Sequence, residues 1–182
     1  MARLVGDTGV RRVWLGLVLL LAGCSAPLTP DKFAGSGNFD PVVFFTGHVT
    51  SWGVEENRAG QPVGIVTTDC VGTPRGPHSI TMVQTLHVDG STQTRTWQLT
   101  QTGPGAFTAT ANDMVGSTVG TADGRAMHWR WVLETSPGDA LKNVTMDQWF
   151  YQMGDGAVMI RTVVTKAGVR LVEVSEQFEK AS

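Results

Sequence analysis

The sequence predicts an all-β domain in which about eight to ten strands form an antiparallel up-and-down meander that closes into a barrel. Three observations predict it: apolar and polar residues alternate in several runs, Asp-Gly turns separate these runs, and no segment shows a sustained helical period. A length of 182 residues bounds the chain to one domain, or two at most.

The first 23 residues have the features of a secretory signal peptide. Arg11 and Arg12 precede an apolar run of nine residues, Val13–Leu21, and small residues follow it. As a helix, this run is about 14 Å long, far short of the ~30 Å hydrocarbon core of a bilayer. The run therefore predicts an export signal that is removed, not a membrane-spanning helix.

The end of this segment, Leu21-Ala22-Gly23-Cys24, resembles a bacterial lipobox. The resemblance implies cleavage before Cys24 and acylation of that cysteine. The predicted partner is therefore a membrane, to which the lipid on Cys24 attaches the chain. Several acyl chains on one residue give stable anchoring, since each buried methylene contributes about 0.8 kcal/mol. Ser25 follows the cysteine, which resembles the outer-membrane address of Gram-negative lipoproteins and predicts a domain that faces the periplasm.

We predict that residues 24–40 comprise the lipidated cysteine and a flexible tether, because Ser25 to Asn38 consists mainly of small and polar residues with Pro and Gly. We predict that residues 41–182 form the barrel domain. Its clearest strand is Ala126–Leu133, where Met127, Trp129, Trp131 and Leu133 share one face. The same alternation recurs in two later runs, Val158–Thr165 and Val169–Val174.

Turn chemistry joins these runs into hairpins. Asp-Gly between alternating runs is the strongest short-range hairpin signal, and it occurs at Asp89-Gly90, Asp123-Gly124 and Asp155-Gly156. A meander has two exposed edges unless it closes, and closure of roughly eight strands encloses side chains or one small ligand.

A barrel that spans the outer membrane is the competing closed form. Charges in the middle of the predicted strands argue against it, because the outward face of such a barrel is apolar. These charges are Arg95, Arg130, Arg161 and Glu173. We therefore expect a soluble barrel held at the membrane surface.

An ordered set of short motifs resembles the DUF3833 family of bacterial lipoproteins over about residues 42–180. The motifs are Phe44–Val49 with Trp52-Gly53, Asp89-Gly90 with Arg95-Thr96-Trp97, Ala111–Gly116, Gly124–Trp129, Met146–Trp149 and Lys166–Val169. The family is similar in outline to lipocalin-like barrels, so the resemblance implies a lipocalin-like barrel. It implies no activity, because a fold alone does not name a reaction.

Composition and motifs exclude several kinds of function. Lys and Arg number 14 against 16 for Asp and Glu, and this balance argues against a nucleic-acid partner. The four histidines are scattered without the spacing of a metal site, and no GxSxG turn presents a serine nucleophile. We predict no metal, no cofactor and no catalytic residue.

The state of Cys70 follows from the predicted acylation of Cys24. With Cys24 acylated, Cys70 has no disulfide partner within the chain, and we predict that its thiol is buried and inert.

Aromatic residues carry the functional prediction. Core packing explains most of the tryptophans, but the same rings suit an apolar pocket in which a few polar groups hold a ligand. The predicted ligand-binding residues are Arg95, Trp97, Asp113, His128, Trp129, Asp147, Trp149 and Arg161. Arg95, Asp113, His128 and Arg161 would hold a polar head such as a carboxylate or a phosphate. In an alternative interpretation, Asp113 and Asp147 accept hydrogen bonds from turn amides or from Arg95 and Arg161.

Three hypotheses for the function follow. The first is a binding module for a hydrophobic or amphiphilic molecule, such as a fatty acid or a phospholipid fragment. The second is an enzyme that acts on such a molecule in the barrel, with Asp113, His128 or Asp147 as acid or base. The third is an accessory envelope protein that binds another protein through an exposed apolar patch. The shape of the interior discriminates best between them.

Overall fold

The computed structural model describes residues 28–33, 37–135 and 142–181. The ten strands in these residues are β1 (Gly47–Asn57), β2 (Pro62–Gly76), β3 (Ser79–Val88), β4 (Ser91–Gly103), β5 (Ala106–Ala111), β6 (Thr118–Asp123), β7 (Ala126–Leu133), β8 (Val144–Gly154), β9 (Ala157–Lys166) and β10 (Val169–Lys180). Each strand pairs antiparallel with the next along the chain, and β1 pairs with β10 to close the barrel. The prediction of a closed all-β meander is confirmed.

The predicted Asp-Gly turns join neighbouring strands. Asp89 and Gly90 connect β3 to β4, and both have positive φ angles, 48° and 78°, as a type I′ hairpin turn requires. Asp155-Gly156 connects β8 to β9, whereas Asp123 is the last residue of β6 and the turn to β7 begins at Gly124. The local turn signals were therefore sufficient to order these strands.

One short helix closes one end of the barrel. Helix α1 (Pro41–Phe45) begins after Asp40, whose carboxylate accepts hydrogen bonds from the backbone of Val42 and Val43. Phe45 packs edge-on against Phe150 of β8 and against Phe178, which lies near the end of β10. We call this end the floor. The opposite end, where β3 meets β4 and β9 meets β10, we call the mouth.

The backbone of α1 lies close to the barrel wall. A Cβ atom at Gly72 would lie 1.8 Å from the carbonyl oxygen of Phe45, so a residue without a side chain is needed there. The close approach places the phenylalanines of α1 over the floor.

Two phenylalanines of the predicted tether pack against the barrel, Phe33 on the outer wall and Phe39 in the core, where Phe39 is 4% exposed and contacts Phe44 and Phe150. A 3₁₀ turn at Pro30–Lys32 precedes Phe33, whose ring centroid lies 5.1 Å from that of Tyr151. The predicted signal peptide, residues 1–23, and the predicted lipidation site Cys24 lie outside the described residues. No helix in the described ranges is long and apolar enough to cross a membrane.

The inward face of β7 carries the residues that the alternation predicts. Met127, Trp129 and Trp131 are buried, and Leu133 lies at the mouth end of the same face. Buried side chains of this size each contribute about 1.5–3 kcal/mol to stability, so this strand supplies a large part of the core.

Candidate functional site

A cavity of about 180 Å³ lies inside the barrel between the floor and the mouth. Most of its lining is apolar, and the polar lining side chains are Glu55, Gln84, Gln93, Arg95, Gln148, Thr162 and Glu176. A larger hollow of about 930 Å³ lies outside the wall, among the turns of the β4–β5 and β6–β7 hairpins. We take the interior cavity as the candidate site, because buried charged groups face it.

Arg95 is the central polar residue of this cavity. It points inward from β4 and is 5% exposed. Its Nε donates to both carboxylate oxygens of Asp113 at 2.8 Å, and its guanidinium carbon lies 4.8 Å from the ring centroid of Trp131. The positive charge is therefore stabilised by a carboxylate and by an aromatic face.

The rest of the guanidinium group faces the cavity. Nε is the Arg95 atom that donates to protein groups among the described residues. The two Nη atoms donate no hydrogen bond to the described residues, and the Arg95 side chain lines the cavity, so these atoms are the donors that a ligand there could use. They can donate to an anionic or carbonyl oxygen placed there.

Glu176 is the second buried charged residue of the cavity. It is 7% exposed, and its Oε1 accepts hydrogen bonds from Ser51 at 2.8 Å and from Thr68 at 2.9 Å. Burial raises the pKa of Glu176, although these two hydrogen bonds and the charge of Arg95 act in the opposite direction. The second carboxyl oxygen, Oε2, accepts no hydrogen bond from the described residues, and Glu176 lines the cavity.

Glutamine side chains satisfy the indole N–H groups of the interior tryptophans. Gln148 accepts from Trp129 at 2.8 Å and from Trp131 at 2.6 Å, and it donates to Thr162 at 3.0 Å. Gln84 accepts from the indole of Trp97 in the same way, at 2.8 Å. The rings of Trp97 and Trp129 stack with centroids 5.4 Å apart. These bonds fix the orientation of the rings that line the cavity.

The structure brings together part of the predicted ligand-binding set. Arg95, Trp97 and Trp129 line the cavity, and Asp113 is bound to Arg95 from the loop after β5. The other four lie on the outer wall: His128, Asp147, Trp149 and Arg161. Side chains of neighbouring strand residues point to opposite faces, so His128 and Trp129 do not share one pocket.

The outer-wall residues form their own ion pairs. Asp147 accepts from His128 Nε2 at 3.0 Å and from Arg130 Nε at 2.9 Å. Burial alone would raise the pKa of Asp147, but these two hydrogen bonds lower it below its ordinary value. Arg161 pairs with both carboxylate oxygens of Glu173, at 2.5 and 2.8 Å. The Asp113–Arg95 pair of the alternative interpretation is thus present, whereas Asp147 pairs with residues other than Arg161.

Cys70 is a free thiol buried in the barrel wall, and the prediction that it is buried is confirmed. Burial raises the pKa of this thiol to about 12, and the charges of Glu176 and Asp69 add to the effect. The protonated thiol is a weak nucleophile at neutral pH. No group of three or more potential metal ligands comes together within the described ranges.

Sequence reasoning missed Glu176 and Gln148 as residues of the interior. A signal for Glu176 was available, because it occupies the inward position between Val174 and Phe178 in an alternating run. A charged residue at an apolar position of a strand marks a buried polar site. No comparable signal identified Gln148, because both faces of β8 mix polar and aromatic residues.

Comparisons with known proteins agree with this architecture. A family model described as "Protein of unknown function (DUF3833)" matches residues 18–180. No curated protein sequence matches the chain. Among solved structures, the S-type phycobiliprotein lyase CPES from Guillardia theta is similar, with a TM-score of 0.56 at 12% identity over 86% of this chain and 99% of that chain. At this identity the similarity shows a shared fold, and the predicted lipocalin-like barrel is confirmed.

Proposed function

The chain belongs to the DUF3833 family, and from its barrel we propose that it is an outer-membrane-anchored lipoprotein that binds a hydrophobic or amphiphilic molecule in the periplasm. The observation that carries this proposal is the interior cavity, in which apolar walls surround the Nη atoms of Arg95. Burial of an arginine is costly unless its charge is compensated and its donors are used. A ligand oxygen would use the donors that Asp113 leaves available.

The cavity volume limits what is enclosed. Pockets that hold a drug-sized molecule have volumes of about 300–1,000 Å³. The volume of about 180 Å³ corresponds to roughly six water molecules at ~30 Å³ each. The barrel therefore encloses a small molecule, or one end of a longer molecule whose remainder passes through the mouth. Half-buried apolar residues at the mouth, such as Leu86 and Val172, suit a passing hydrocarbon chain.

Native mass spectrometry of the Cys24→Ser chain tests the proposed binding. This variant keeps the rest of the sequence and removes the predicted acylation site, so an adduct cannot be an acyl chain on Cys24. Decanoate is the probe, and we expect an adduct of one decanoate per chain that is absent with Arg95→Met. Absence of any adduct with decanoate or decanol would contradict the proposed binding function.

Metabolic labelling tests the proposed anchor. Cells that express the unmodified chain and are grown with an alkyne-labelled palmitate should label it, and it should fractionate with the outer membrane. The Cys24→Ser chain should lose the label and should not fractionate with the outer membrane, while Cys70→Ser should keep both properties. Labelling of the Cys24→Ser chain would contradict acylation at Cys24.

The geometry favours binding over catalysis by the predicted acid and base residues. His128 and Asp147 lie on the outer wall, and Asp113 is engaged by Arg95. A molecule inside the cavity therefore contacts neither His128 nor Asp147.

The hypothesis of an accessory protein predicts an exposed apolar patch, and the outer faces of β1 and β2 do expose Trp52 and Ile65. Cross-linking in cells from position 65 tests that hypothesis.

A further inference from the structure

The inward residues of four strands follow the same order from floor to mouth: apolar, polar, apolar. They are Met82, Gln84 and Leu86 on β3, Phe150, Gln148 and Met146 on β8, Ile160, Thr162 and Val164 on β9, and Phe178, Glu176 and Val174 on β10. We call these polar members, together with Arg95 of β4, the belt; Glu55 of β1 and Gln93 of β4 also line the cavity, nearer the mouth. An amphiphilic ligand must match this order, because polar groups that are buried without partners are costly.

We infer that the ligand is a carboxylic acid with an apolar chain that binds head first, with its carboxylate between Arg95 and Glu176 and its chain directed to the mouth. This inference rests on the proposed binding function and assigns its ligand class and orientation. The buried rings of Phe45, Phe150 and Phe178 line the floor side of the belt, where α1 lies over the end of the barrel, so we place the chain on the mouth side. The chain therefore extends from the belt past Val174 and Val172 to the mouth, over about 13 Å of strand.

The charge balance favours a carboxylate over a phosphate. Arg95 is the one cationic residue that lines the cavity within the described ranges, and Asp113 already compensates part of its charge. A phosphate monoester would bring about 1.5–2 negative charges into this buried site, whereas a carboxylate brings one. With a single arginine available, the second charge of the phosphate would remain without a partner.

Glu176 is suited to donate a hydrogen bond to the bound carboxylate. Ser51 and Thr68 both donate to Oε1, so Oε2 is the oxygen that carries a proton toward the cavity when Glu176 is neutral. Burial raises the pKa of Glu176 and thereby favours that neutral form. A protonated Glu176 would stabilise a ligand carboxylate, and an ionised Glu176 would repel it.

Few other ionisable groups act on Glu176. Arg95 faces it from β4, Glu55 lines the cavity from β1, and the thiol of Cys70 on β2 interacts with its charge. From β9, Thr162 contributes an uncharged hydroxyl group to the lining. The Cys70 thiol stays protonated at neutral pH, but burial and the charge of Asp89 raise the pKa of Glu55 as well. The part of the pH dependence that belongs to Glu176 is therefore the difference between the unmodified site and Glu176→Gln.

Fluorescence titrations of the Cys24→Ser chain test the ligand class, with decanoate, decyl phosphate and decanol as probes. Trp97, Trp129 and Trp131 report on the cavity. We expect decanoate to bind about tenfold or more tightly than the other two, since a charge-assisted hydrogen bond contributes that much. Arg95→Met should remove the preference, while Arg161→Met on the outer wall should keep it.

The pH dependence tests the role of Glu176. Decanoate affinity should fall as the pH rises through the pKa of Glu176, and Glu176→Gln should bind decanoate with a smaller change over the same range. Glu173→Gln, on the outer face of the same strand, is the matched control and should retain the dependence. If decanoate affinity in Glu176→Gln depends on pH as it does in the unmodified site, Glu176 does not share a proton with the ligand.

Brominated probes test the orientation without any variant of the cavity. Bromine quenches tryptophan fluorescence at short range, so 2-bromodecanoate should quench the interior tryptophans more strongly than 10-bromodecanoate. Trp52→Phe removes the half-exposed tryptophan of the outer wall from the signal. Stronger quenching by the 10-bromo probe would overturn head-first binding, and equal affinity for decanol and decanoate would overturn the ligand class. Failure of every probe to bind would instead refute the proposed function.

Discussion

Arg95 Nε lies 2.8 Å from both carboxylate oxygens of Asp113, and the arginine side chain is nearly buried while that of the aspartate is a quarter exposed. The loop after β5 thus holds the guanidinium group of β4 from the mouth side. The Nη atoms donate to none of the described residues, and the side chain lines the cavity. The pair connects the stability of the mouth to the availability of the arginine for a ligand.

Asp113→Asn should lower the free energy of unfolding by about 1.5–3 kcal/mol, because it removes a hydrogen bond between charged groups around a buried arginine. It should also strengthen decanoate binding, since the charge of Arg95 is then less compensated. Urea denaturation measures the first effect and a fluorescence titration the second. The control is Asp69→Asn, which breaks a half-exposed pair with His48 and should change stability by about 0.5 kcal/mol or less. Equal losses in the two variants would contradict this account.

Gln148→Leu should lower the free energy of unfolding by about 2–6 kcal/mol. The substitution leaves the indole N–H groups of Trp129 and Trp131 without their acceptor, and each buried donor left unpaired costs about 1–3 kcal/mol. Thermal or urea unfolding followed by circular dichroism measures the change. Gln98→Leu on the exposed face of β4 is the control and should be close to neutral. A neutral Gln148→Leu would show that the two indoles find other acceptors.

Gly72→Ala should destabilise the floor by about 1–3 kcal/mol or more, because its Cβ would overlap the carbonyl oxygen of Phe45 and push α1 away from the barrel. Gly154→Ala is the control, since no atom lies within 4 Å of the position of its Cβ. Urea midpoints of the two variants give the comparison. The prediction fails if both substitutions have the same effect.

Glu176 should make the barrel less stable as the pH rises above 4.5, its ordinary pKa, and through the raised value of the folded state. In that interval the folded state binds more protons than the unfolded chain, so the free energy of unfolding decreases with pH. Urea midpoints between pH 4 and 8 should show the decline in the unmodified barrel and a smaller one in Glu176→Gln.

Glu173 should change the free energy of unfolding with pH in the opposite direction to Glu176. Its hydrogen bond with Arg161 lowers its pKa, so its contribution is present above pH 4.5 and is lost as the pH falls through the lowered value. Glu173→Gln should therefore weaken the acid-side loss and leave the decline above pH 4.5 in place. The same response in both variants would contradict the assignment of Glu176 as the buried acid.

The strands were predictable because their signals are local. Alternation in residues 126–133 placed Trp129 and Trp131 on one face, and Asp89-Gly90 specified a tight turn, without any knowledge of distant contacts. Closure into a barrel followed from the cost of unpaired edges.

The site was predicted in part, because membership of the cavity depends on which face of a strand points inward. On β7 the apolar face was evident, but His128 from the other face was still grouped with Trp129. On β8 both faces carry aromatic and polar residues, so Trp149 was chosen although Gln148 is the inward residue. A shift of one residue moves a side chain to the other face, and in β8 only the strand pairing settles that choice.

A crystal structure of the Cys24→Ser chain grown with decanoate tests the central claim most directly. The account predicts one decanoate inside the barrel, with its carboxylate at about 3 Å from the Nη atoms of Arg95 and its chain passing Val174 toward the mouth. Decanoate bound solely on the outer wall, or a barrel interior closed by side chains at the decanoate concentration that saturates the fluorescence signal, would contradict it.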